Sequence, residues 1–268
     1  MQTRNHGLPI LLSKLNFHER DAHIQFDEGP HIYTIDGDES FTSVTTWNHT
    51  HFEQFDADAI IKRMMSSKKW PESKYFGMTA EEIKRGWDRN RDEAASAGTI
   101  MHYDIECYYN NCLDPNFVWT DSTEGIYFLQ FLKDWAHLKP YRTEWTVFHE
   151  DLKLAGSIDM TFENIDGSLE IYDWKRSRGI SKIPNGGKFA TTPCIEHLPD
   201  SNFWHYSLQL NIYRHILETK YNKQVTGMYL ICLHPDNKNK SYQRIPVADL
   251  REDIQELVKY REHQLQVT

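Results

Sequence analysis

Two apolar segments, Leu154 to Glu163 and Ser168 to Trp174, stand on either side of Asn164-Ile165-Asp166-Gly167, and nothing else in the sequence restricts the fold as much. A polar gap ending in Gly between two β-leaning runs predicts a hairpin. Side chains two apart on a strand share a face, so Asp173 and Lys175 must point the same way, and the hairpin can bring Asp159 beside them. The apolar stretch Leu169-Glu170-Ile171-Tyr172 feeds straight into Asp-Trp-Lys. A buried strand that ends in charges delivers them to a sheet edge, where sites form.

The remaining elements arrange themselves around this hairpin. His23 to Phe26 and His31 to Ile35 alternate and form a second, smaller hairpin; Ser43-Val44-Thr45-Thr46 is a helix cap. From Ala57 to Trp87 apolar residues recur at helical spacing, interrupted by Pro71 and Gly77, with Thr79 and Glu82 as a capping box. Helices are expected from Arg91 to Asn111, Thr123 to Leu138, Trp204 to Lys220 and Val247 to Gln264, and strands from Glu144 to His149 and Val225 to Leu233. Gly179 to Pro199 lacks periodicity and is expected to be a long functional or mobile loop. The expected division is a hairpin and mostly helical lobe over 1–90 and an α/β core over 91–268, sizes that 268 residues accommodate.

Two carboxylates and an ammonium group at one strand end suit phosphoryl transfer. Hard divalent ions take oxygen ligands, and Mg²⁺ commonly uses one or two carboxylates plus a substrate phosphate. An isolated Asp-x-Lys is otherwise a solvated ion pair. A net charge of −9 argues against binding nucleic acid over the whole surface but leaves room for a local basic groove. No segment is long and apolar enough to span a membrane, and no membrane partner is expected. Cys107, Cys112, Cys194 and Cys232 contain no C-x-x-C pair, which points to reduced thiols in an intracellular protein. The cytoplasm is the expected compartment, with nucleus or mitochondrion as alternatives; Arg4 and Lys14, in a first stretch without acids, read as a tail rather than a presequence.

Gly156-Ser-Ile-Asp159, the hairpin and Asp173-Trp-Lys175 together resemble the core of the PD-(D/E)XK nucleases. Gln209 and Tyr213 match the Q-x-x-x-Y helix of the RecB-like branch, and Gly98-Thr-Ile-Met-His102 matches its G-x-x-x-H, in the same order and at similar separations. The resemblance runs from about Ala95 to Leu233, and Ser43-Val-Thr45 is similar to a segment of the mitochondrial genome maintenance exonucleases. Ile158 stands where the family often has Pro.

The resemblance implies a restriction-endonuclease-like core, a mixed central sheet flanked by helices. It implies one or two Mg²⁺ or Mn²⁺ ions held by His102, Asp159, Asp173 and the main-chain carbonyl of Trp174, with Glu144 as an additional acid and Lys175 orienting or deprotonating the attacking water. Imidazole suits Mn²⁺ better than Mg²⁺. Glu106, one turn beyond His102, can orient the imidazole. Gln209 would hold Lys175 or a substrate phosphate, and Tyr213 the nucleic-acid backbone. The four cysteines lack the tight downstream trio of the branch's iron-sulfur enzymes, so no such cluster is expected.

Arg176, Arg178, Lys182 and Lys188, with Trp204 and Tyr206 nearby, suit a single strand, cations on phosphates and rings under bases. Lys62, Arg63, Lys68, Lys69 and Trp70 form a second such group. The expected activity is hydrolysis of DNA phosphodiesters by a metal-activated water, as an exonuclease on single-stranded DNA or DNA ends threading a channel bordered by the lobe and the 179–199 loop. The alternatives are a structure-specific DNA or RNA endonuclease and an inactive nucleic-acid-binding module.

Overall fold

A computed structural model describes residues 9–267. Arg4 of the expected tail lies outside the described residues. In chain order the front of the molecule comprises α1 (Leu11–Leu15), β1 (Ile24–Asp27), β2 (Ile32–Ile35), β3 (Thr42–Ser43), α2 (Val44–His49), α3 (Ala57–Met65), α4 (Ala80–Tyr109) and α5 (Thr123–Asp134). There follow β4 (Lys139–His149), β5 (Leu154–Glu163), β6 (Leu169–Lys175), α6 (Asn202–Lys220), β7 (Val225–Cys232), β8 (Gln243–Pro246) and α7 (Arg251–Val267).

The β5–β6 hairpin forms as expected. Gly167 takes a φ of 83°, a left-handed conformation that costs a residue without Cβ little, and Asp166 Oδ1 accepts the Ser168 N–H at 3.0 Å to close the turn. The hairpin belongs to a mixed six-stranded sheet in the order β3-β5-β6-β7-β8, with β4 also paired to β5. β4 runs antiparallel along β5 from Lys139↔Glu163 to His149↔Leu154. β6 runs parallel to β7 from Leu169↔Val225 to Lys175↔Cys232.

The β5–β6 ladder, by contrast, has only four pairs, from Glu163↔Leu169 to Met160↔Tyr172. Past it β5 pairs in parallel with β3, at Thr42↔Leu154 and Ser43↔Ala155. The two hairpin strands therefore fork after Met160 and Tyr172. Asp159 and Asp173 are the first residue of each strand beyond the fork.

Helices cover both faces of this sheet, the mixed α/β architecture anticipated from the sequence. On one face Met101 and Ile105 of α4 and Tyr127, Phe128 and Phe131 of α5 pack on Met160, Phe162, Tyr172, Trp174 and Ile231. On the other, α2, α6 and α7 pack on Leu154, Leu169, Ile171, Val225 and Leu230 through Trp47, Leu208, Ile212, Ile216, Ile254 and Leu257. Alternation along β6 carries Ile171 and Tyr172 to opposite clusters, as period-2 geometry requires.

The chain divides differently from the expected 1–90 and 91–268. The described residues up to Glu53, with those from Met101 onward, form one compact unit, and Gln54–Ile100 forms the other. The physical reason is that β3 enters the sheet beside β5 while Val44, Trp47 and Phe52 are buried in its core. In the 54–100 unit, α3 is capped by Asp56, which accepts the Ala59 N–H at 2.9 Å. Thr79 and Glu82 form the expected capping box at the front of α4, at 2.7 and 3.2 Å. Trp87 Nε1 donates to the Tyr75 hydroxyl at 2.8 Å.

Because that box starts α4 at Ala80, the helix begins eleven residues before the expected Arg91. It runs through Gly86 and Gly98, and a Cβ at either position would meet nothing within 4 Å. The sequence pattern does not announce β8: four residues, mostly half-buried, give little to read. The 179–199 segment is tied down rather than free along its length. Ala190 N donates to Leu198 O at 2.9 Å, Thr191 N to His51 O at 2.8 Å, and Phe189 bridges to Pro199.

Candidate metal centre

Four elements converge where β5 and β6 fork. β5 supplies Asp159, β6 supplies Asp173, Trp174 and Lys175, β4 supplies Glu144, and α4 supplies His102. One ligand atom from each of His102, Glu144 and Asp159 lies within 4.8 Å of the others. His102 Nδ1 is 3.5 Å from Asp159 Oδ2 and 3.8 Å from Glu144 Oε1. His102 Nε2 is 2.7 Å from the Trp174 carbonyl oxygen, which can only accept, so the proton of that contact sits on Nε2. The Trp174 N–H in turn donates to Asp159 Oδ2 at 2.9 Å.

Glu144 reaches this cluster at a backbone cost. Its φ is 40°, a left-handed conformation inside a strand, opposite Asp159 in a register that otherwise runs unbroken from Arg142↔Thr161 to His149↔Leu154. Such a residue costs on the order of 1–3 kcal/mol and persists where surrounding structure determines it, often at functional sites. Ser157, which shares a face with Asp159, donates its hydroxyl to Glu144 Oε2 at 2.8 Å. Ser157 is a residue that the sequence reading missed, although its spacing from Asp159 was the available signal.

Asp173 and Lys175 share a face and are ion-paired. Lys175 Nζ is 2.9 Å from Asp173 Oδ1 and 2.7 Å from Oδ2. Oδ2 is buried and makes no hydrogen bond, so its contact with Nζ is off the bonding angle and its lone pairs remain open to a cation. Tyr206 lies with its ring centroid 4.6 Å from Nζ. This ring, expected under a nucleic-acid base, covers the lysine.

The charges condition one another. Burial lowers the His102 pKa, but the Asp159 and Glu144 carboxylates outweigh it and push it up to about 9. Burial raises Asp173, Lys175 opposes and Asp159 adds to the rise, leaving it at about 6. Asp159 is also raised, first by burial, against the pull of His102. For Lys175, burial is outweighed by Asp173 and Asp159, so its ammonium is held above the ordinary lysine value. Lys175 in this arrangement is a cation and hydrogen-bond donor; deprotonating a water, one of its two expected roles, requires the neutral amine. Glu106 is pushed up to about 8 by burial and by Glu144 and Glu28.

The donor set fits a hard divalent ion that tolerates one imidazole. It offers carboxylate oxygens from Asp159, Glu144 and Asp173, the Trp174 carbonyl and the His102 ring. His102 and the Trp174 carbonyl, both expected as ligands, lie side by side. Tyr213 differs from expectation. It is 3% exposed, and a Cβ on Gly156 would lie 2.7 Å from its hydroxyl. It packs against β5 at Gly156, with Gln209 as its hydrogen-bond partner, and does not present itself to an incoming backbone.

The basic residues after β6 are already engaged. Arg176 Nε donates to Glu124 at 2.7 Å, Lys188 pairs with Glu53 at 2.6 Å, and Arg178 lies 3.4 Å from Asp236. Lys182 Nζ sits 4.5 Å from the Phe203 ring centroid, and Trp204 Nε1 donates to the Lys182 carbonyl at 3.1 Å. Arg178 stays exposed at 85%, whereas Arg176 is largely covered. These residues do not form one free cationic surface. No helix among the described residues is long and apolar enough to cross a membrane. No protein-family model matches the chain, and no curated protein sequence matches it.

Proposed function

We propose that this chain is a divalent-metal-dependent nuclease that hydrolyses DNA phosphodiesters, acting as an exonuclease on single strands or free ends. The observation that carries the reading is the convergence of His102, Glu144 and Asp159 within 4.8 Å beside an Asp173–Lys175 pair at a sheet fork. Its motifs resemble the RecB-like branch of the PD-(D/E)XK nucleases. A bound Mg²⁺ or Mn²⁺ would supply Lewis acidity at the phosphoryl group and a water of lowered pKa.

The protein's own groups account for the rest. His102, Asp159, Glu144, Asp173 and the Trp174 carbonyl would hold the ion. Lys175, kept charged by Asp173 and Asp159, would donate a hydrogen bond to oxygen bearing developing negative charge. Asp173 restrains the ammonium and Tyr206 covers it. Gln209 and Tyr213 would act indirectly, Tyr213 by bracing β5 at Gly156. In the net reaction water adds across one P–O bond, leaving a phosphate monoester and a free hydroxyl.

The test is cleavage of end-labelled linear and circular single strands, with Mg²⁺, with Mn²⁺ and with chelator, by the wild type and Asp173→Asn. Linear strands should be degraded only with metal, Mn²⁺ serving at least as well as Mg²⁺, and the variant should lose roughly a hundredfold or more in rate. Equal cutting of circles would favour an endonuclease. No cleavage with either ion, or full activity in the variant, would overturn the reading.

A further inference from the structure

The 54–100 unit contains a basic and aromatic pocket that belongs to none of the chemistry above. Between residues 62 and 74 stand five basic residues, Lys62, Arg63, Lys68, Lys69 and Lys74, and one acid, Glu72, in a chain whose net charge is −9. A pocket of about 490 Å³ opens here, its polar lining two cations, Arg63 and Lys69, two hydroxyls, Ser67 and Ser73, and one acid, Glu72, with Trp70 as its ring. Its volume falls in the range of about 300–1,000 Å³ typical of small-molecule sites.

The pocket is built on a fixed turn. Trp70 N donates to Ser67 O at 2.9 Å, Ser73 N to Trp70 O at 3.0 Å, and Phe76 N to Ser73 O at 2.9 Å. Pro71 sits in the 3-10 turn from Trp70 to Glu72 and restricts its backbone. Trp70 is half-buried, and Phe76, 58% exposed, meets it edge-on with ring centroids 6.0 Å apart. Lys62 and Arg63 also lie in the last turn of α3, where cations offset the helix dipole. That accounts for neither Lys69 nor the ring beside it. Among the described residues, Arg63 and Lys69 form no ion pair, unlike Arg176 and Lys188.

We propose that this pocket binds one nucleotide of a single-stranded nucleic acid, with Arg63 and Lys69 on the phosphates and Trp70 against the base. The charge excess selects a polyanion, and the ring that shares the pocket with the two cations selects one with exposed planar groups. A duplex keeps its bases stacked and would leave Trp70 without a partner. The choice of nucleic acid as the polyanion rests on the nuclease reading; the pocket itself does not.

The test uses the full chain carrying Asp173→Asn, in chelator, so that binding is read without cleavage. Fluorescence anisotropy of a labelled oligothymidine is followed against salt. Reversing both charges, Arg63→Glu with Lys69→Glu, should weaken binding at least tenfold in moderate salt. It should also flatten log K against log salt by about 0.7 for each phosphate that the protein no longer neutralises. Trp70→Ala should weaken binding roughly tenfold with the slope kept, and Trp70→Phe should restore most of it. Circular dichroism checks that each variant is folded.

Wild-type affinity in the folded charge-reversal variant would overturn the proposal, as would equally tight binding of duplex. Competition by polyglutamate as strong as that of unlabelled oligothymidine would also overturn it, because the surface would then read charge alone. If the wild type cleaves nothing with metal yet these variants lose oligothymidine, the nuclease reading fails and the pocket stands.

Discussion

The two compact units are stabilised by opposite means. In the larger one, apolar layers cover both faces of a sheet, and even charged groups such as Asp173 are almost wholly enclosed. In the 54–100 unit, Ile61 and Ile83 are the only buried residues described, and order rests on helix caps, a fixed turn and ring contacts. Charge differs likewise: residues 54–100 hold nine basic and eight acidic side chains, and the rest of the chain twenty-one and thirty-one. A buried site can hold ligands to the geometry an ion demands. An exposed, lightly buried region opens more easily and is better suited to contact than to chemistry.

Removing a core anchor breaks this comparison most severely. Trp145 is fully buried, and its indole N–H donates to Asp21 at 3.0 Å. Trp145→Ala should cost about 3–5 kcal/mol, read as a fall in the urea midpoint. A loss below about 1 kcal/mol would mean that the sheet's cover is not what holds the fold.

pH separates the two regions by chemistry. Without added metal, His102 is held at about 9 against an ordinary value of 6.5. The stability its charge contributes is therefore fully present below pH 6.5 and lost as pH rises through 9. An ion must displace that proton, so Mn²⁺ affinity measured by calorimetry should rise toward about tenfold per pH unit in this window, with proton release. Oligothymidine binding through Arg63, Lys69 and Trp70 should stay level over the same range, because His102 takes no part in it. Level Mn²⁺ affinity would remove His102 from the ligand set.

The smallest effect lies in the lobe. Ile83→Val should cost about 1 kcal/mol, seen as faster hydrogen exchange among residues 54–100 with the urea midpoint almost unchanged. An equal change across the β-sheet would show that the two units open together.

What could be read from the sequence follows from how local each feature is. Asp173 and Lys175 were legible because a strand has period two, and the Thr79–Glu82 box because a cap spans three residues. Recognising His102 and Glu144 required the resemblance, since their approach depends on how α4 and β4 pack. The ion pairs that occupy the cations after β6 join residues far apart, Arg176 to Glu124 and Lys188 to Glu53, so those cations read as free. The fork of the hairpin was hidden for the same reason. Nothing in the Leu154–Glu163 run announces that β5 exchanges β6 for a two-residue β3.

That fork also gives the site a mechanical character. Asp173 is carried by a strand zipped to β7 as far as Lys175, and Asp159 by a strand paired to β4 on either side of it, at Met160 and Ile158. Past the fork no ladder pairs join the two strands; the Trp174 N–H on Asp159 links them directly, and His102 spans from the Trp174 carbonyl to Asp159. The spacing of the two carboxylates is thus set by the outer partners of their strands, β4 for Asp159 and β7 for Asp173, rather than by rungs between them. Under the proposed function, such a site would adjust to an ion's radius by small shifts of the strands that carry its carboxylates, with no change of ligand.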